Sequence, residues 1–221
     1  MIPTLKEYEN RILEQYEVQR IKPLLEQVGW NEITFKYFTT INYHYKETDW
    51  KKVIQDNARI RRVVRSAFKS NIRMWFFIER HTDPEQKLYG GYHKHILIES
   101  IPSQRWFEPS NTMKSFMAVM DVEMLFGCVN RVMPTPQQQI KLLNKVIRDL
   151  CGKVPNGHLS MRTEHITNIE GCLAYCSKQF GMYKFGQLHK WCDVLDPKNS
   201  DIDSEHLLDY YEKKSAYAKV A

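Results

Sequence analysis

The stretch Tyr92-His93-Lys94-His95-Ile96-Leu97-Ile98-Glu99 decides the fold, because it joins a histidine pair to an apolar run typical of a buried strand. Side chains two residues apart in a strand point to the same side of the sheet. His93 and His95 are therefore expected to present two imidazoles on one face, with Ile96 and Ile98 on the other. Such a pair is either half of a divalent-metal site or simply two exposed histidines at the start of a strand.

A carboxylate ligand is available on the preceding predicted strand. Residues 74–79 (MWFFIE) form a strongly apolar run that ends at Glu79, and residues 81–91 have the composition of a turn. Strand, turn and strand predict a hairpin, in which neighbouring strands lie about 4.8 Å apart. Glu79 is therefore the predicted third ligand, with His81 as the alternative. Two imidazoles and a carboxylate suit Mn²⁺ better than Mg²⁺, although a mixed site accepts either ion.

Periodicity and capping patterns predict the other elements. Thr4–Glu7 and Thr167–Glu170 are capping boxes, and Thr135 precedes a first-turn proline. Helices are expected at about residues 4–26, 49–69, 111–126, 136–150 and 167–180, and further strands at 33–42 and 158–166. This mixture favours an α+β fold with a central antiparallel sheet flanked by helices. The predicted division is an N-terminal helical extension (1–30), a main domain (31–185) and a polar C-terminal tail with a short helix (186–221).

Charge and composition narrow the class of protein. The 221 residues include 32 Lys and Arg against 26 Asp and Glu, which gives a net charge of +6. That excess suits a polyanionic partner, or else belongs to an ordinary solvated surface. No apolar run is long enough to span a membrane, and the start lacks the apolar region of a signal peptide. Five cysteines without a CxxC pair indicate free thiols, and we expect a cytoplasmic protein.

A nucleophile is available on the last predicted helix. Tyr175 lies near its middle, and Lys178, three residues later, shares its face. A phenol can attack a phosphate when a bound cation polarises the acceptor and a nearby positive charge stabilises the phenolate. Lys178 could supply that charge or hold the phosphate. The alternative is that Tyr175 is a core aromatic residue packed beside Leu173 and Cys172.

Basic and aromatic residues near the histidine strand are candidate DNA contacts. The predicted helix at 49–69 has a basic side, which either contacts a phosphate backbone or is solvated. Tyr92 could stack on a base beside the site, whereas Trp75 and Phe77 are better explained as buried strand aromatics. The candidate DNA-binding residues are Arg61, Arg62, Arg65, Lys69, Arg73 and Tyr92.

The order of these motifs resembles that of the HUH endonucleases. Phe38-Thr39-Thr40-Ile41, Glu79, His93-x-His95 and Tyr175-x-x-Lys178 follow one another over about two thirds of the chain. The resemblance is greatest to the rolling-circle replication initiators of plasmids, phages and small single-stranded DNA viruses. In that family the residue between the histidines is usually hydrophobic, whereas Lys94 stands here. Its flexible stem is expected to reach water at the strand end.

The resemblance implies a ferredoxin/RRM-like sheet and an endonuclease with a tyrosine nucleophile. Glu79, His93 and His95 would bind Mn²⁺ or Mg²⁺, and Tyr175, assisted by Lys178, would nick single-stranded DNA through a 5′-phosphotyrosine. The implied partner is single-stranded DNA at an origin, in a hairpin or a melted duplex. No G-x-x-x-x-G-K-[ST] sequence occurs, so a separate helicase and polymerase are expected.

Three other interpretations remain open at this stage. A single-tyrosine transposase or a relaxase would use the same chemistry, although no three-histidine cluster typical of relaxases is found. A non-catalytic nucleic-acid-binding module with an RRM-like sheet would bind without covalent capture. A metal-dependent hydrolase that activates water would leave Tyr175 and Lys178 without a role.

Overall fold

The computed structural model describes residues 33–43, 46–81, 84–85, 87–151 and 160–177. The predicted N-terminal helix, Lys178 and the C-terminal tail lie outside these residues. The described residues form two compact units, one within residues 35–74 and 79–166 and the other comprising residues 33–34, 75–78 and 167–177. The three-part division expected from the sequence stays a prediction.

The described chain contains four strands and six helices, and the strands form one antiparallel sheet in the order β2-β3-β1-β4. The predicted α+β class is therefore confirmed. The elements are β1 (Phe35–Asn42), α1 (Trp50–Phe68), β2 (Met74–Arg80), β3 (Tyr92–Glu99), α2 (Ser103–Phe107), α3 (Asn111–Met120), α4 (Val122–Val129), α5 (Pro136–Cys151), β4 (Ser160–His165) and α6 (Ile169–Ser177).

The sheet has two faces of different character because side chains alternate along β1. Tyr37, Thr39 and Ile41 are buried, whereas the residues between them are half-buried. On the buried face, Thr39 Oγ1 lies 2.9 Å from Thr163 Oγ1 of β4, and the Tyr37 hydroxyl donates to Gln139 Oε1 of α5 at 2.7 Å. Burial raises the pKa of the Tyr37 hydroxyl well above its usual range. We call this face, which α1 and α5 cover, the helix face.

Helix α1 begins and ends where its sequence provides caps. The Asp49 carboxylate accepts hydrogen bonds from the amides of Lys51 and Lys52, as expected of an N-cap residue. At the other end Lys69 adopts a left-handed conformation, with φ 47°, and its amide donates to Ser66 O. The predicted helix is confirmed, and it packs against α5.

Lys94 is fully buried on the helix face, so the expectation that its stem reaches water is wrong. Its Nζ donates to Val53 O at 3.0 Å and to Asn57 Oδ1 at 2.7 Å, and it lies 5.6 Å from the centre of the Tyr43 ring. Buried polar groups are tolerated when they are hydrogen-bonded. Lys94 therefore joins the histidine strand to α1.

Two helix boundaries differ from the predicted ones. The single helix expected at 111–126 is broken at Asp121, whose side chain accepts from the Met124 amide and starts α4. A hydrogen bond from the Gln138 side chain, followed by the Met124 bond, lowers the pKa of Asp121. Helix α6 begins after Asn168, whose Oδ1 accepts from the Gly171 amide, so the cap is Asn168 and not Thr167.

No described helix is long and apolar enough to cross a membrane. Cys128, Cys172 and Cys176 are free thiols, as predicted. Burial raises the pKa of the Cys128 thiol.

The buried Lys94 side chain generates a stability prediction. Lys94→Ala should lower the free energy of unfolding by about 3 kcal/mol, because it removes two hydrogen bonds and leaves a cavity. Lys94→Met keeps the length of the stem and should cost about 1–2 kcal/mol through the lost hydrogen bonds alone. Urea unfolding measures both, with exposed Lys51→Ala as the control. Equal, negligible effects of all three substitutions would contradict the structural role of Lys94.

Candidate functional site

Three buried side chains on two adjacent strands converge at one point. Glu79 lies near the end of β2, and His93 and His95 lie at the start of β3, as the sequence predicted. Glu79 Oε2 is 3.2 Å from His93 Nε2 and 3.5 Å from His95 Nε2. Their potential ligand atoms all lie within 4.8 Å of one another. These residues, which we call the metal triad, could hold a metal ion.

Contacts around the triad fix how the histidine rings point. Thr40, paired with His95 across β1 and β3, places its Oγ1 3.0 Å from His95 Nδ1, which leaves Nε2 directed toward Glu79. The Phe38 ring stacks on His95 with centroids 5.4 Å apart, and the His81 ring stacks on His93 at 4.4 Å. Partners of this kind orient metal-binding histidines. His81, the alternative ligand, therefore packs against the triad rather than belonging to it.

The hairpin between β2 and β3 holds the triad strands in register. The His81 amide donates to Gly91 O at 2.9 Å, and the Gly90 amide donates to His81 O at 2.8 Å. Gly90 has φ 76°, a backbone conformation that glycine adopts without strain. Gly91 leaves no room for a side chain, because an added Cβ would lie 3.0 Å from Leu88 O. Both glycines of the predicted turn therefore favour the tight hairpin that brings β2 and β3 together.

The donor set fits a divalent cation. The Nε2 atoms of both histidines point at the same oxygen of a carboxylate that is completely buried. A buried carboxylate is costly unless a cation or hydrogen bonds compensate it. The nitrogen and oxygen donors suit Mn²⁺ and related first-row ions. The alternative without metal is a buried ion pair between Glu79 and a protonated histidine, and metal titration distinguishes the two.

Tyr175 lies on α6, in the compact unit that does not include the triad. Its side chain is 44% exposed, whereas its neighbours Leu173 and Cys176 are buried. The alternative that Tyr175 is a core aromatic residue is therefore wrong. Its predicted companion Lys178 lies outside the described residues.

Several of the predicted DNA-binding cations form hydrogen bonds within the fold. Arg61 Nη2 donates to Met74 O at 3.3 Å and Arg65 Nε donates to Ile72 O at 3.1 Å, so both tie α1 to the start of β2. Arg73 forms a two-nitrogen contact with the Glu99 carboxylate, with Nη2 at 2.7 Å and Nε at 3.1 Å. A guanidinium engaged in this way has less capacity to bind phosphate.

The remaining predicted contacts lie away from the triad or are buried. Arg62 and Lys69 are exposed on α1, but α1 covers the helix face, opposite to the histidines. Tyr92 is 6% exposed, and its hydroxyl accepts a hydrogen bond from Arg80 at 2.8 Å. The prediction that these residues bind DNA beside the triad is untested, but α1 and the triad belong to different faces of the sheet.

Sequence analysis missed two exposed charges on the triad face. Arg162 of β4 pairs across the sheet with Thr40 of β1, which pairs in turn with His95, and these three residues form one row. Arg162 forms an ion pair with Glu164, and its side chain is 82% exposed. The alternation of charged and other residues in SMRTEH (160–165) could have predicted that Arg162 and Glu164 are exposed on one face of β4, a strand of which only Thr163 is buried. Arg162 is thus the exposed cation in line with the triad.

Removal of the Glu79 charge should abolish metal binding. In the intact protein, Mn²⁺ at 100 times its Kd should raise the free energy of unfolding by about 2.7 kcal/mol. Glu79→Gln keeps the shape of the side chain but removes the anionic ligand, so the stabilisation by Mn²⁺ should disappear. Urea unfolding with Mn²⁺ and with EDTA measures the difference.

The matched control is Glu164→Gln, which neutralises an exposed carboxylate on the same face of the sheet. It should leave stabilisation by Mn²⁺ unchanged. If Glu79→Gln and the intact protein respond equally to Mn²⁺, the three side chains form a buried ion pair and not a metal site.

Comparisons of the chain with protein-family models, with curated proteins and with solved structures each found no match.

Proposed function

We propose that this protein is a metal-dependent endonuclease that nicks and rejoins single-stranded DNA through a covalent link to Tyr175. The observation that carries the proposal is the buried group of Glu79, His93 and His95 on two adjacent antiparallel strands. The order of its motifs, with an exposed tyrosine on a later helix, is that of the HUH endonucleases which the sequence resembles.

The topology supports this proposal. Without α2, α3 and α4, the order of elements from β1 to β4 is β-α-β-β-α-β. With the strand order β2-β3-β1-β4, this is the arrangement of ferredoxin-like folds. We therefore propose a ferredoxin/RRM-like sheet of the HUH type, with helices on one face and the metal triad on the other.

In the proposed reaction each residue has a defined task. Glu79, His93 and His95 would hold the divalent ion, and Thr40 keeps the His95 ring oriented through Nδ1. The ion would supply electrostatic stabilisation of the charge that develops on the scissile phosphate. The Tyr175 oxygen attacks phosphorus, a P–O(Tyr) bond forms and the P–O3′ bond breaks. The phenol proton passes to solvent and the released 3′-oxygen takes up a proton.

The reverse reaction rejoins DNA without an energy cofactor. The phosphotyrosine retains the energy of the phosphodiester bond, so a 3′-hydroxyl can attack it, form a new P–O3′ bond and release Tyr175. Lys178 is the proposed source of positive charge near the phenolate, since it follows Tyr175 by three residues in sequence. A free 3′ end could then prime synthesis by a separate polymerase, which is why we place the activity at a replication origin.

We further propose that the DNA strand crosses the triad face over the row of His95, Thr40 and Arg162. The row offers an exposed guanidinium two strands away from the histidines, a distance of about 10 Å at the usual strand spacing. The basic residues of α1 belong to the opposite face.

A purely nucleic-acid-binding module is the second candidate, and the burial of the aromatics argues against it. RRM-like sheets stack bases on exposed aromatic side chains. Here Trp75, Phe77 and Tyr92 are buried, and Phe38, which is half-buried on the triad face, stacks on His95. The transposase and relaxase alternatives use the same chemistry, and the site alone does not separate them from an initiator.

Covalent capture tests the proposed function directly. The protein, incubated with Mn²⁺ and labelled single-stranded oligonucleotides that tile its own replicon, should give a slow-migrating, protease-sensitive band on a denaturing gel. The band should be lost in Tyr175→Phe, because the nucleophilic oxygen is absent, and with EDTA. Tyr89→Phe, at the other exposed tyrosine of the described chain, is the control and should retain the band. Native-gel binding with no covalent band on any oligonucleotide would instead support the non-catalytic module.

Arg162 tests the proposed path of the DNA. Measured in a Tyr175→Phe background to prevent cleavage, Arg162→Ala should lower the slope of log affinity against log salt by about 0.7, the loss of one phosphate contact. Arg62→Ala removes an exposed cation from the other face and should leave the slope unchanged. The opposite result would place the DNA on α1.

A further inference from the structure

The exposed apolar side chains of the protein are concentrated in one short segment. Eight large hydrophobic residues are exposed in the described part of the chain, and six of them lie between residues 119 and 133. The other two are Tyr89 and Tyr175, which carry a hydroxyl group. The six are Val119, Val122, Phe126, Val129, Val132 and Met133, and we call them the apolar patch.

Local structure makes the patch continuous. Val122, Phe126 and Val129 follow one another at spacings of four and three on α4 and form a stripe on its exposed side. Val132 folds back against the end of this helix, where its amide donates to Gly127 O at 2.7 Å. The opposite side of α4, with Met124 and Cys128, is buried in the core. The helix is therefore apolar on two sides, of which the fold covers only one.

The patch is about as large as the largest apolar patch that a single-chain protein usually exposes, and patches of that size are often functional. Phe126 is 62% exposed and the four valines are between 51% and 81% exposed. Together the six side chains present on the order of 500 Å² of apolar surface, which is near the upper end for single-chain proteins. Two such patches with their polar surroundings bury roughly 1,000 Å², the lower end of specific protein–protein interfaces.

We propose that this patch is a homodimer interface in which α4 packs antiparallel against α4 of a second copy of the chain. A two-fold axis near Phe126 would place Val122 of each copy opposite Val129 of the other, because these residues lie on either side of Phe126. The patch is thus complementary to itself, as a closed two-fold interface requires.

Charge supports a second copy as the occupant. Within residues 119–133 the charged side chains are Asp121, Glu123 and Arg131. Glu123 lies at the start of the stripe and Arg131 just beyond its end, so antiparallel packing brings each Glu123 near the partner's Arg131. Nucleic acid or an anionic lipid surface requires a basic patch. This segment contains no lysine and a single arginine, so it lacks the positive charge that either partner requires.

Shape at the end of the stripe also fits this packing. An open cavity of about 540 Å³ adjoins Val129 and is lined by Gln104, Phe107, Glu108 and Arg131. In the antiparallel arrangement the beginning of the partner's stripe faces this end of α4. The cavity therefore leaves room beside Phe107 and Val129 for the partner's side chains at that point.

Sedimentation equilibrium of the full chain, from low micromolar to a few hundred micromolar, tests the proposal. We expect a monomer–dimer equilibrium with a micromolar dissociation constant, typical of an interface of this size. Phe126→Glu should raise that constant by at least about 30-fold, since it removes the central aromatic anchor and introduces two facing charges. Tyr89→Glu, a change of an exposed aromatic outside the patch, should leave it unaltered.

A charge exchange tests the antiparallel pairing. Glu123→Arg and Arg131→Glu should each weaken the dimer several-fold because like charges then face each other, and the double variant should restore it. A chain that stays monomeric at every concentration would overturn the proposal. So would a dimer that Phe126→Glu leaves intact or weakens no more than Tyr89→Glu does, or a double variant no tighter than the single ones.

Discussion

The alternation of side chains along β3 is the constraint on which the rest of the structure depends. His93, Lys94 and His95 are consecutive, titratable and buried, and the strand sends them to opposite faces. The imidazoles meet Glu79, while the Lys94 ammonium group reaches the carbonyl of Val53 and the Asn57 side chain on α1. Because a shift of register by one residue would exchange the two faces, every one of these contacts specifies the same register.

The separation of the two faces of the sheet explains what several basic residues do. On the helix face, arginines of α1 donate hydrogen bonds to backbone carbonyls near the start of β2, and a lysine of the sheet donates to a carbonyl of α1. Some of the Lys and Arg side chains that give the protein its net positive charge therefore join α1 to the sheet. On the triad face of the described sheet, Arg162 is an exposed cation, although its guanidinium also forms an ion pair with the exposed carboxylate of Glu164. Net charge indicates the class of partner but not the surface that binds it.

Most features of the fold and the site that depend on residues close together in the sequence could be predicted, whereas features that depend on residues far apart in the sequence could not. The bounds of β3 and the meeting of Glu79 with the histidines followed from a period of two and a turn-rich connection, which are local signals. The destination of Lys94 could not be predicted, because it is set by Asn57, a residue 37 positions earlier that only the folded chain brings near. The break at Asp121 had a local signal, a capping residue within an apolar pattern, but the continuing periodicity outweighed it.

Metal binding and folding should be coupled at the triad. Glu79 is wholly buried beside two imidazoles, so its carboxylate is already desolvated in the folded protein without a bound ligand. A cation that binds there compensates the carboxylate in the folded state and has no equivalent preformed site in the unfolded chain, so its binding energy becomes folding energy. Thr40 and Phe38 hold the His95 ring in place, and the His81 ring stacks on His93. These contacts keep both Nε2 atoms aimed at the Glu79 carboxylate. The three side chains are therefore oriented for a cation by the fold itself, before a cation binds.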